Sequence, residues 1–279
     1  MADDSGTRLG ATHLAGSAVV SGRLQLTHVD QAYWDRVADR FDDEVLKIRD
    51  RDLNGTLEGV IKGLASPSRT VSDFGCGNGS LLPILSKFFG EVVAIDHSAK
   101  LLEHARSCMS ATQNIRYVQA DLSQPYRTPR KTDVLICVNV LLHPDHDIRE
   151  KILENATSSI KQHGAIVLVV PAFESLLHTY ATIVECNLAM GISRDQALRE
   201  VQSVYNEEVV STVDGIVTLG TEPTKMHTLE ATRSMLADQG LRRIDTHRIE
   251  YDWEEMIDDA PTGLGAPYPW DWLFVARKA

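Results

Sequence analysis

From residue 67 onward, short apolar runs alternate with longer stretches whose apolar positions recur with a helical period. Runs of strand length bounded by Gly, Pro, Asn or Ser read as buried strands, and the periodic stretches between them as helices. Strands are predicted over residues 71–74, 91–95, 115–119, 133–140 and 165–170. Helices are predicted over 79–89, from the N-cap Ser98 through Ala105, and over 147–160. Alternation of this kind implies a parallel sheet with helices on both faces. Upstream, Tyr33, Val37, Phe41 and Val45 recur every four residues and predict a helix over 29–47. Before it lies a Gly-, Ala- and Ser-rich stretch without period.

The rhythm changes at Pro171. Two helices follow with no strand between them, over 172–190 and 193–204, then a short β-like section over 209–219. A helix over 228–239 stops at Gly240, which suits a C-cap, and strands over 243–251 and 272–276 close the chain. The resulting division is a flexible leader (1–28), an N-terminal helical lid (29–66), a core (67–171), an inserted helical cap (172–225), and a C-terminal helix and hairpin completing the core sheet (226–279).

Composition narrows the partners. Among 279 residues, 28 basic against 39 acidic side chains give a net charge of −11, a field that repels a phosphate backbone. No nucleic-acid partner is therefore expected. The four cysteines, Cys76, Cys108, Cys137 and Cys186, form no metal or redox pair and read as buried free thiols, and no metal is expected. No secretory signal or membrane span is recognisable, so the expected location is the cytoplasm.

Chemistry concentrates in VSDFGCGNGS, residues 71–80, where Asp73 precedes Gly75, Gly77 and Gly79. A glycine turn after a first strand brings backbone close to a ligand at the carboxyl end of an open sheet. The third glycine of a dinucleotide fingerprint is missing, since Ser80 stands there. A carboxylate at Asp73 also repels a pyrophosphate and favours a cationic ligand. Asp96 ends the second strand about 20 residues beyond the turn, where an acid can take both hydroxyls of a ribose. Asp121 ends the third.

The ordered set VSDFGCGNGS, VVAIDHS, YVQADL and DVLICVNVLLH resembles the class I S-adenosylmethionine-dependent methyltransferases. The resemblance implies a Rossmann-like seven-stranded sheet of order 3-2-1-4-5-7-6 with its last strand antiparallel, and S-adenosylmethionine as cofactor. It places Asp73, Gly75 and Gly77 around the methionine moiety and Asp96 at the ribose, with Cys76 and His97 as further cofactor-binding candidates. Asp121 and Leu122 fall at the adenine, whose other face Leu101 is a candidate to cover, and the Asn139 carbonyl at the ammonium. Tyr33 either closes over the cofactor or packs in the core. The N-terminal segment either covers its own site or docks on a second copy in a homo-oligomer.

The sequence VNVLLHPD lacks the Pro-Pro pair of the family's nucleic-acid amino-methylating members, which together with the charge implies a small acceptor. His143 is the candidate acid–base group, the alternative being a structural histidine. His178 and Tyr180 in the cap, with Trp253 and Trp270 near the last hairpin, are candidates for the acceptor wall; the alternative for the aromatics is a hydrophobic plug. His227 is open in the same way. The expected function is methylation of a small apolar or aromatic metabolite of specialised type, with O-, N- and C-acceptors all open. Its rivals are a nicotinamide-dependent oxidoreductase and a non-catalytic S-adenosylmethionine sensor.

Overall fold

The structure is a computed structural model in which residues 48–219, 222–257 and 260–279 are described. The predicted helix 29–47, with Tyr33, lies outside them. A single helical turn, Ile48–Arg51, precedes α1 (Thr56–Leu64), where Leu57, Ile61 and Leu64 fall on one face and are all buried. Burying side chains of this size stabilises by about 1.5–3 kcal/mol each, which holds this short helix against the sheet.

The chain then runs through β1 (Thr70–Phe74), α2 (Leu82–Phe88), β2 (Glu91–Asp96), α3 (Ala99–Cys108), β3 (Ile115–Gln119), β4 (Thr132–Val138), α4 (His146–Ser159) and β5 (Ile160–Pro171). The Ser98 hydroxyl caps α3 by accepting the Leu101 N–H at 3.2 Å, and the Asp145 carboxylate caps α4 through the Asp147 N–H at 2.9 Å. Next come α5 (Phe173–Ala189), α6 (Arg194–Glu208), β6 (Val209–Ser211), β7 (Ile216–Leu219), β8 (Glu222–Lys225), α7 (Leu229–Asp238), β9 (Leu241–Glu250) and β10 (Trp270–Lys278).

Seven strands form one sheet of order β3-β2-β1-β4-β5-β10-β9, with β10 antiparallel to both neighbours. This is the order and direction expected. Strand alternation sorts the core into two layers. Val71, Val92, Ala94, Ile136 and Val167 pack beneath α1, α2 and α3. Phe74, Val93, Leu135, Leu168 and Phe274 pack beneath α4 and α7.

Between β5 and α7, α5 and α6 share a small core with a separate three-stranded sheet, β6-β7-β8, built on Phe173, Leu176, Tyr180, Val217 and Met226. That sheet is more regular than the β-like section read from the sequence. Two boundaries also differ. Strand β4 stops at Val138 because Asn139 turns to φ +53°, and β5 begins at Ile160, the extended residue that caps α4. Among the cysteines, Cys76, Cys137 and Cys186 are buried as expected, whereas Cys108 at the end of α3 is exposed. No helix among the described residues is long and apolar enough to cross a membrane.

Candidate active site

The carboxyl ends of β1, β2 and β4 converge around the glycine turn. After Phe74 the chain bends back, and the Gly75 and Cys76 N–H groups both donate to the Ile95 carbonyl at 2.8 and 3.0 Å. Gly75, Gly77 and Gly79 have φ of +71°, +52° and +86°, a region that side chains other than Gly rarely enter. At Gly75 a Cβ would meet Val140 Cγ2 at 2.5 Å, so the turn is packed against the loop after β4.

The Asp96 carboxylate is set by two backbone donors. Its Oδ2 accepts the Gly77 N–H and its Oδ1 the Ser98 N–H, both at 2.9 Å. The Asp96 carbonyl accepts the Ala120 N–H at 2.9 Å, which brings the end of β3 alongside. Asp73 is 2% exposed, and its Oδ2 is buried without a partner. Burial, reinforced by the negative charge of Asp96, pushes its carboxyl up to about 7. Two carboxyl groups thus stand at one turn, one fixed by N–H donors and one unsatisfied.

Two further buried atoms lack partners here: His97 Nε2, beside Asp96, and Asn139 Oδ1, at the positive-φ residue that follows β4. Cys76 differs from its neighbours in the motif. Its thiol packs in the core, burial pushes it well above the usual range, its N–H is spent on the Ile95 carbonyl of β2 and its carbonyl accepts the Gly79 N–H within the turn. Leu101 is buried under the first turn of α3. Asp121 is exposed, with Oδ1 accepting the Ser123 N–H and hydroxyl at 2.9 and 2.6 Å. Leu122 is buried, and its carbonyl accepts Asn155 Nδ2 at 2.8 Å.

Asn155 was not anticipated. It lies on the buried face of α4 and also binds the Gln124 carbonyl and the Tyr126 N–H, so it shapes the whole turn after β3. A lone Asn on the apolar face of the predicted helix 147–160 was the available signal.

Beyond β4, the His143 Nδ1 accepts the Asp145 N–H at 3.0 Å. A neutral ring so engaged carries its proton on Nε2, which makes it a donor. Above the end of β5, three of the four acceptor candidates meet. The His178 ring lies 5.3 Å from Trp253 and 5.9 Å from Trp270, and its Nε2 bonds the Pro267 carbonyl at 2.9 Å. Tyr180 does not join them; two residues further along α5, it faces the cap's own core. The base of α5 is tightly held. Glu174 accepts the Trp272 Nε1–H at 3.0 Å and the Leu229 N–H at 2.7 Å, and the Ser175 hydroxyl accepts the Trp270 N–H at 2.7 Å.

Comparison with known proteins agrees with this fold. Residues 71–164 match the family described as "Methyltransferase domain". A relative from Coxiella burnetii, "Ubiquinone biosynthesis O-methyltransferase", is 30% identical over 112 residues, 39% of this chain and 47% of its own. The chain spans about half the length of the curated relatives it matches. Among solved structures, the N-methyltransferase NodS of Bradyrhizobium japonicum, in complex with S-adenosyl-L-homocysteine, superposes with TM-score 0.54 at 13% identity, over 89% of this chain and 97% of its own. The DhpI-SAM-HEP complex superposes with TM-score 0.58 at 17% identity, over 89% and 95%. The magnesium protoporphyrin IX methyltransferase of Synechocystis with bound SAH has TM-score 0.51 at 17% identity, over 89% and 94%. At these identities the likeness is one of fold.

Proposed function

We propose that this chain, whose residues 71–164 match a methyltransferase domain family and whose sheet has the order the resemblance implies, transfers a methyl group from S-adenosylmethionine to a small, largely apolar or aromatic metabolite. The observation that carries the reading is the pair of carboxyls at the glycine turn: Asp96 fixed by Gly77 and Ser98, and Asp73 buried with its Oδ2 unpartnered. A dinucleotide would bring phosphate against this negative pair. A ligand with a sulfonium, an ammonium and a ribose, but no phosphate, suits it.

The residues present fit the cofactor. The Asp96 carboxylate is oriented to accept from ribose hydroxyls, with the unpartnered His97 Nε2 beside it. Asp73 and the backbone at Asn139 would take the methionine end, and Leu122, held through Asn155, the adenine. S-adenosylmethionine would supply a methyl group on a sulfonium already primed to leave, so alignment of the acceptor provides most of the acceleration. His143 would orient an oxygen or nitrogen acceptor by donating from Nε2. To accept a proton at Nδ1 it would first have to release the Asp145 N–H. The cluster of His178, Trp253 and Trp270 supports an aromatic or apolar acceptor body. A cytoplasmic enzyme of specialised metabolism is consistent with these features, and the name of the Coxiella burnetii relative favours oxygen as the acceptor atom.

The test is a labelled-methyl assay over a panel of phenols, amines and acids, with RNA, DNA and protein as controls. Methylation of small molecules is expected. His143→Ala should lower turnover about 10²-fold, the low end for a group that handles acceptor protons. Methylation confined to a macromolecule would overturn the reading. Binding without turnover across a broad panel would favour the sensor instead.

A further inference from the structure

His227 takes no part in the chemistry above, yet it joins three functional elements. It follows β8, the last strand of the small sheet, and is 3% exposed. Its N–H donates to the Pro171 carbonyl at 2.8 Å, and its carbonyl accepts the Phe173 N–H at 2.9 Å, forming a parallel bridge at Ala172. Its ring Nε2 lies 2.8 Å from the Leu141 carbonyl. A carbonyl only accepts, so the ring carries its proton on Nε2.

The neighbouring contacts extend this clasp. The Lys225 N–H donates to the Leu142 carbonyl at 2.8 Å. Arg149 on α4 donates to the His143 carbonyl and, at 2.7 Å, to the Pro144 carbonyl. Four consecutive carbonyls after β4 are thus occupied from outside the loop, two by the exit of β8 and two by α4. This is the loop that carries Asn139 and His143.

We infer that His227 is a positioning residue, which sets the β4 loop through Leu141 and locks it to the base of the cap through Pro171 and Phe173. The inserted small sheet is then part of the machinery that places Asn139, and not only a lid. Burial pushes the His227 ring down to about 3, against the pull of its bond to Leu141. The Lys225 and Arg149 cations facing it act in the same direction as burial, so the ring stays neutral and the clasp holds throughout the physiological range.

The functional arm rests on the reading above that the Asn139 backbone grips the amino-acid end of the cofactor. The full chain and the variants His227→Leu and His227→Gln are titrated with two probes, S-adenosylhomocysteine and adenosine, and their amide hydrogen exchange is followed. In His227→Leu the Leu141 carbonyl loses its donor, so peptides over 139–145 and 172–176 should exchange faster together. Affinity for S-adenosylhomocysteine should fall about fivefold or more, while adenosine, which lacks the amino-acid end, stays within about twofold. His227→Gln, whose amide nitrogen replaces the ring Nε2, should restore both. Equal loss for both probes, or faster exchange confined to 225–229, would overturn the inference. If the parent chain binds neither probe, the cofactor reading fails, and coupled exchange of the two segments alone decides the positioning role.

Discussion

The two halves of the site are built differently. On the proposed cofactor side, the groups are short acids and a glycine turn at the ends of three adjacent parallel strands, and the N–H groups of that turn hold Ile95 and Asp96 in place. On the proposed acceptor side, the groups are large side chains from α5, the segment after β9 and the start of β10. The carboxyl pair of the first half is specified locally, since Asp73 and Asp96 lie within 24 residues of chain. The second exists only after the cap has docked, through Glu174, Ser175 and His227. Local specification suits a ligand that stays constant, and assembly from distant segments lets the acceptor pocket change without disturbing the cofactor.

The largest expected effect breaks the cofactor half alone. Gly77→Val places a branched side chain at φ +52° and disturbs the N–H that holds Asp96. Calorimetric titration with S-adenosylhomocysteine should show no binding, while circular dichroism retains the parental fold. Normal affinity would mean that the turn does not face the ligand.

Asp96→Ala should be milder. It removes an acceptor of charge-assisted bonds while the glycine backbone persists, a loss of about 1–3 kcal/mol or roughly five- to 150-fold in affinity. Part of that loss comes from the Gly77 and Ser98 N–H groups left without their acceptor. Unchanged affinity would remove the ribose from Asp96.

How much of this was legible beforehand follows the same divide. The strands and the placement of Asp73, Gly77 and Asp96 could be read because short apolar runs and glycine spacing are properties of a contiguous sequence, while the strand order came with the family resemblance of the four motifs. Asn155 and His227 could not, because their importance lies in which distant carbonyls they reach. Tyr180 shows the same limit from the other side. The helix containing it was readable, but which face met the hairpin and which met the small sheet depended on the docking of β6–β8.

His178→Ala tests the acceptor half. It removes an aromatic contact with Trp253 and another with Trp270, each about 0.5–1.5 kcal/mol. Acceptor capture, read as KM for a substrate found in the panel, should weaken up to about tenfold while affinity for S-adenosylhomocysteine stays constant. If both change together, the two halves are not independent and the comparison between them fails.

The smallest effect concerns the proton on Asp73. Its carboxyl is raised to about 7 by burial and by Asp96, so near neutral pH it is only partly ionised before ligand arrives. A cationic ligand favours the ionised form, so binding should release a proton and strengthen as pH rises through 7. With one site titrating at that value, affinity should fall about fivefold from pH 7 to pH 6 and change less than about twofold from pH 7 to pH 8. The stability of the ligand-free protein has the opposite sign. A carboxyl raised above its unfolded value of 3.8 binds more protons folded than unfolded, so its contribution to stability is lost as pH climbs from about 4 towards 7. Asp73→Asn should therefore melt higher than the parent at pH 8, by a margin that shrinks on acidification, and its ligand affinity should be lower and flat across pH 6–8. Calorimetry in buffers of different ionisation enthalpy measures the released proton directly. A parent that binds without proton release, and with the same affinity at pH 6 and pH 8, would show that Asp73 keeps one charge state throughout.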